Sequence, residues 1–181
     1  MGPLSDARVR PEAAADHEDI ASVVAAAFRS EAHARLVEAI RASPGYIAPL
    51  SLVATLDERV AGHVMISRVG LVGPDGGEQQ VPCLSPLAVD PAEQGRGIGS
   101  ALVRAVTGAA AARGDDLVLL EGDPAYYGRF GFEPAGPHGI EIDLPSWAPP
   151  EAAQVLRLRA DRPLPAGRVV YPSPFDLVTE D

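Results

Sequence analysis

One six-residue run, Gln94-Gly95-Arg96-Gly97-Ile98-Gly99, restricts this chain more than any other. It lies between an apolar segment, Leu84-Ser85-Pro86-Leu87-Ala88-Val89, and an alanine-rich amphipathic segment over residues 100–113. The order predicted is strand, glycine loop, helix, which leaves a row of backbone N–H groups at a helix N-terminus. Glycine lets the backbone approach a ligand closely, and the helix dipole favours an anion at that end. The ligand such a geometry suits is a phosphate or pyrophosphate.

Two familiar phosphate sites are disfavoured by the residues themselves. A P-loop needs a lysine after its last glycine. This chain has no lysine; all 15 of its basic side chains are arginine. A dinucleotide fingerprint needs Gly-x-Gly-x-x-Gly, with an acidic residue about 20 residues later. Here the spacing is Gly-x-Gly-x-Gly, and Ser100 stands where the third glycine belongs. Glu121 does lie at a suitable separation, so a nucleotide-dependent oxidoreductase stays as a weaker alternative that NAD(P) binding would reveal.

The pattern that fits is Gln/Arg-x-x-Gly-x-Gly/Ala, with Gln94, Gly97 and Gly99 on its three positions. A second segment, Gly122-Asp123-Pro124-Ala125-Tyr126-Tyr127-Gly128-Arg129-Phe130-Gly131-Phe132, matches a Tyr-x-x-x-Gly-Phe ending at Tyr127, Gly131 and Phe132. In this order and spacing, the two motifs resemble the GNAT superfamily of acetyl-CoA-dependent N-acetyltransferases, and in particular its YhbS-like group. The resemblance covers residues 7–136. It implies an α/β fold whose mixed, mostly antiparallel sheet has about six to seven strands, is flanked by helices and is splayed at the central strands. It implies acetyl-CoA as co-substrate and an amine acceptor, either a small molecule or a protein amine, with no metal. A homodimer would be in keeping with such relatives.

The same resemblance assigns roles. Backbone groups around Leu87, Ala88 and Val89 would hold the thioester carbonyl and pantetheine arm. Pro86, which has no N–H to donate, would interrupt regular pairing there, or else simply mark an edge or bulge. Gln94, Gly95, Arg96, Gly97, Ile98, Gly99 and Ser100 would hold the pyrophosphate. Tyr127 would protonate the departing thiolate, or serve only as a core aromatic beside Phe130 and Phe132; Tyr126 is the substitute donor. Glu121, ending a predicted buried strand, is the candidate base by analogy, against a plain solvated strand end.

Arylalkylamine N-acetyltransferases carry two histidines where this chain has Cys83 and Ser85, which puts that base arrangement and that substrate class in doubt. Cys83 is an acyl-accepting nucleophile or a buried thiol, the latter favoured because no histidine is nearby in sequence. His63 reads as a hydrogen-bonded structural histidine. Catalysis by direct attack of an amine is the leading reading; an acyl-CoA-binding regulatory module without turnover is the alternative.

Charge and composition agree with this. The formal net charge of -10 disfavours nucleic acid or an anionic membrane as partner. Arg96 supplies local positive charge for a polyanionic ligand. A single cysteine forms no intrachain disulfide, and no run of apolar residues is long enough to span a bilayer. A cytoplasmic location is expected. The N-terminus shows neither a signal-peptide pattern nor, at Met1-Gly2 with Ser5, the myristoylation spacing.

Along the chain, patterning predicts a strand at residues 7–11 and helices at 16–28 and 31–41, the first capped by Asp16 with Asp19 closing a capping box. Strands follow at 50–55, 60–71 and 78–89, a helix at 100–113 and a buried strand at 117–120. Asp123 and Pro124 open a short helix to Phe130, and paired strands are expected at 131–134 and 153–160. Residues 135–150 form a Pro-rich stretch around Trp147, read as lining or covering the acceptor pocket, and the tail ends acidic. The whole is expected to be a single acyl-CoA N-acyltransferase domain over residues 1–181. Within it, residues 137–181 would be a Pro-rich C-terminal part containing the last strand and tail.

Overall fold

Residues 6–179 are described by a computed structural model of the chain. The reading of Met1 to Ser5 and the acidic end at Glu180 and Asp181 lie outside them. In chain order the elements are β1 (Arg8–Pro11), α1 (His17–Phe28), α2 (Glu31–Arg41), β2 (Ser51–Leu56), β3 (Arg59–Val72), β4 (Glu78–Val89) and α3 (Ile98–Arg113). Then come β5 (Leu117–Glu121), α4 (Pro124–Tyr127), β6 (Glu133–Pro134), β7 (Ile140–Glu141), β8 (Ala153–Arg157) and β9 (Gly167–Val170). The architecture is the expected α/β one, a mostly antiparallel sheet flanked by helices, with more and shorter strands than predicted.

The chain divides into two compact units, and β3, β4 and α3 each contribute residues to both. One unit comprises the residues up to Ser67, Ser85–Ala109 and the residues from Ser173. In it β1, β2 and the first part of β3 pair antiparallel, from Arg8↔Thr55 and Ser51↔Met65 onward. The β2–β3 turn places Asp57 and Glu58 both at positive φ, the twist that suits a two-residue hairpin. Apolar residues at helical spacing bury one face of each helix: Ile20, Val23 and Val24 from α1, and Leu36, Val37 and Ile40 from α2. Asp16 precedes α1 as predicted but does not cap it. Its carboxylate accepts from the Ala13 N–H at 2.7 Å and pairs with Arg10, so the expected Asp16–Asp19 box is replaced by a brace on the preceding turn.

The other unit comprises Arg68–Leu84 and Ala110–Pro172. The continuous apolar run of β5 is buried from Leu117 to Leu120, as a strand covered on both faces requires. β5 pairs antiparallel with β8 over Leu117↔Arg157 to Glu121↔Ala153, and β8 in turn with β6. β4 and β5 run parallel and share one registered pair, Cys83↔Leu119, the loosened pairing the resemblance implied. Two strands were not foreseen: β9 pairs antiparallel with the end of β3, Gly70↔Val170 to Val72↔Arg168, and parallel with β7.

Candidate active site

The glycine loop forms as a run of turns ending in α3. Gly95 and Gly97 sit at φ of +79° and +83°, backbone conformations that side chains strain to adopt. The open space around both positions shows that conformation, not crowding, is what requires glycine there. The first helical hydrogen bond after the loop runs from Ala101 N–H to the Gly97 carbonyl at 3.0 Å. The amides of Ile98, Gly99 and Ser100 therefore precede the hydrogen-bonded ladder, at the positive end of a 16-residue helix.

Side chains brace this loop. Gln94 donates from Nε2 to the Val89 carbonyl at 3.2 Å, tying the loop to the last residue of β4. Glu93 receives Arg96 and also Arg59, the latter at 2.9 Å, while Arg59 reaches Asp90 at 3.1 Å. Arg96 is half-exposed and tethered by one carboxylate. Within β4 itself Ala88 is buried, whereas Leu87 and Val89 retain some exposure. Asp90 N–H donates to Ala61 O at 2.9 Å, which anchors the strand end. Pro86 follows a cis peptide bond and lies inside the strand, which continues through it to Val89. Nearby in this unit, Asp19, Ser22, Val23, Ala26, Arg59, Val60 and Asp90 line a cavity of about 190 Å³.

The second unit holds the candidate acid and base. Asp123 caps α4 by accepting the Ala125 N–H at 2.9 Å, and Pro124 takes the first helical position as predicted. α4 presents Tyr127, whose ring meets Tyr126 edge-on at 4.9 Å and Phe132 at 5.7 Å. A methyl group on Gly122 would overlap the Tyr127 ring, so the glycine leaves room for it. Burial, helped by Tyr126, pushes the Tyr127 phenol above its ordinary pKa and keeps it protonated at neutral pH.

Glu121 closes β5. It is exposed as a residue, yet its carboxyl is lifted above its ordinary pKa, chiefly by loss of hydration, with Asp143 adding like-charge repulsion. Against these acts a residue absent from every sequence motif: the Tyr171 hydroxyl donates to Glu121 Oε2 at 2.5 Å.

Other candidates resolve less dramatically. Cys83 is buried, and loss of hydration pushes its thiol up to about 12, which suits a packing thiol rather than a nucleophile. His63 is fully buried, with Nε2 at 3.0 Å from Ser51 Oγ and 3.3 Å from Glu12 Oε2, a structural histidine as expected. Trp147 is 81% exposed.

A helix N-terminus reached through a positive-φ glycine loop, in an α/β fold of this topology, is the anion-binding arrangement expected of an acyl-CoA-dependent acyltransferase. Comparison with known proteins agrees. The model of the acetyltransferase (GNAT) domain matches residues 8–135. The chain is 37% identical over 154 residues to the uncharacterized N-acetyltransferase YhbS of Escherichia coli K12, covering 84% of this chain and 88% of YhbS. A crystal structure of Escherichia coli YhbS in complex with CoA superposes with a TM-score of 0.84 at 34% identity, covering 97% of this chain and 95% of that one. A GNAT family acetyltransferase from Brucella melitensis, in complex with acetyl-CoA, gives 0.75 at 31% identity over 94% and 98% of the two chains. This chain belongs to the GNAT family of acetyltransferases.

Proposed function

We propose that this protein moves the acetyl group of acetyl-CoA onto a primary amine by direct attack, through a tetrahedral intermediate. The observation that carries the reading is the glycine loop: Gly95 and Gly97 in left-handed conformations, running into the N-terminus of α3. Gln94 to Ser100 hold the pyrophosphate through backbone N–H groups, and Arg96 adds charge once it exchanges Glu93 for phosphate. Backbone groups of Leu87, Ala88 and Val89 receive the thioester carbonyl and pantetheine.

The chemistry then needs two proton transfers. The neutral amine attacks the thioester carbon; its nitrogen forms the new C–N bond and gives a proton to the Glu121 carboxylate. The tetrahedral oxyanion collapses, the C–S bond breaks, and the thiolate takes the Tyr127 proton. The products are an N-acetylamine and CoA. A carboxylate with a raised pKa is the better base near neutrality, and a phenol, protonated throughout that range, is an available proton source.

Calorimetric titration with acetyl-CoA, with NADH and ATP as controls, tests the cofactor half of this reading. Saturable binding of acetyl-CoA alone is expected, followed by thiol release when primary amines are added. No binding to acetyl-CoA overturns it, and binding without turnover against a broad amine panel would favour a non-catalytic acyl-CoA module.

A further inference from the structure

We propose that Tyr171 is a positioning residue for Glu121, its hydroxyl holding the carboxylate in place and in the anionic form that accepts the amine proton. The inference rests on the acetyltransferase reading with Glu121 as base. It begins from a contact between residues 50 positions apart, Tyr171 Oη to Glu121 Oε2 at 2.5 Å. Tyr171 directly follows β9, and β9 is fixed by its ladder to the end of β3. Glu121 is fixed equally well from behind. It is paired with Ala153, the next N–H, that of Gly122, donates to Ala152 O at 2.9 Å, and Gln154 Nε2 donates to Gly122 O at 3.0 Å. Backbone held from one side and carboxylate from the other leave the glutamate little rotational freedom, the arrangement a proton acceptor needs.

The groups around the carboxylate divide by sign. Asp143 repels the anion, although Arg168 holds Asp143 at 2.6 Å and offsets part of its charge. Loss of hydration also favours the neutral acid. Tyr171 works the other way, donating to the anion; the Cys83 thiol is a further hydrogen-bonding neighbour of its hydroxyl. A carboxylate left with only the first two influences would spend more of its time protonated, leaving less of the anion to accept the amine proton.

Tyr171→Phe removes the hydroxyl and keeps the ring. In that variant the Glu121 carboxyl, followed by carbon-13 NMR and assigned with Glu121→Gln, should titrate about one to two pH units higher than in the wild type, a tenfold to hundredfold gain in proton affinity. Where an amine turns over, the acid limb of kcat/KM should move by the same amount, with acetyl-CoA affinity within about twofold, since neither residue is assigned to CoA. Glu121→Asp, which draws the carboxylate one methylene away from an intact Tyr171, should slow kcat without weakening acetyl-CoA, and serves as well if Tyr171→Phe fails to fold. An unmoved Glu121 midpoint in folded Tyr171→Phe, or unchanged kcat in Glu121→Asp, overturns the proposal. Loss of acetyl-CoA binding in the wild type instead overturns the reading beneath it.

Discussion

At the scale of single residues, the proposed acid and the structural aromatic are separable because the two roles would fall on different atoms of Tyr127. Its ring packs against Tyr126 and Phe132, and only its hydroxyl carries a proton. Tyr127→Phe keeps the ring contacts, so thermal stability and acetyl-CoA affinity should hold while kcat falls about 100-fold or more if proton transfer limits the rate. Tyr126→Phe is the internal comparison. A full rate in Tyr127→Phe with a large loss in Tyr126→Phe would move the acid by one residue. Such roles differ sharply in how legible they were. Tyr127 announced itself through fixed spacing to Gly131 and Phe132, whereas Tyr171 reaches Glu121 across 50 residues, with no local pattern to mark it.

At the scale of elements, a glycine just before α3 and one inside it have opposite meanings. Gly97 stands ahead of the helix at positive φ, and Gly108 sits in its interior with open space about it. Alanine at 97 strains the left-handed conformation by about 1–2 kcal/mol, and the loop escapes by flipping its amides out of line. Acetyl-CoA affinity should therefore drop about fivefold to thirtyfold, as the competent conformation becomes the minority. Alanine at 108 should raise stability by about 0.5–1 kcal/mol and leave affinity alone. Calorimetry and urea unfolding on the pair would show equal effects on affinity if the glycines only served helix start and flexibility.

The long elements were readable for the same local reasons: helical spacing in α1 and α2, alternation and an apolar run in β3 to β5, and the Asp123-Pro124 start of α4. β9 was not, because Gly167-Arg168-Val169-Val170 is too short for a period and its partner on β3 lies nearly a hundred residues earlier. The cap at Asp16 was misassigned for a related reason. A carboxylate at the right position for α1 found stronger partners in Arg10 and the Ala13 N–H, and only the fold brings Arg10 to it.

For the molecule as a whole, acid sensitivity should be governed by one buried cluster more than by the net charge of -10. Glu12, its side chain only 3% exposed, receives Arg41 at 2.8 Å, the Tyr46 hydroxyl at 2.8 Å and His63 at 3.3 Å, so the end of β1, α2 and β3 meet on one carboxylate. Burial opposes ionisation of Glu12, but these donors together hold its pKa far below the usual value. Burial holds His63 below its own ordinary value despite the attraction of Glu12.

Both shifts are downward, so in both cases the unfolded chain binds the extra proton and stability falls as pH falls. For His63 the loss starts below about 6.5, and for Glu12 below about 4.5, continuing toward the folded value in each case. Each proton taken up on unfolding contributes a slope of about 1.4 kcal/mol per pH unit. Relief of general acidic repulsion on acidification acts in the opposite direction and is spread over the surface. Glu12→Gln should therefore lower stability near neutrality by about 3 kcal/mol, the lower end for breaking a buried pair because Arg41 keeps 15% exposure. It should also flatten the fall below pH 4.5, while His63→Gln should flatten the fall that sets in at about 6.5. Urea unfolding from pH 7 to 3.5 separates the cases. A wild-type slope that survives both substitutions would mean that acid lability arises from the dispersed surface carboxylates, and that the cluster under α2 only fills space.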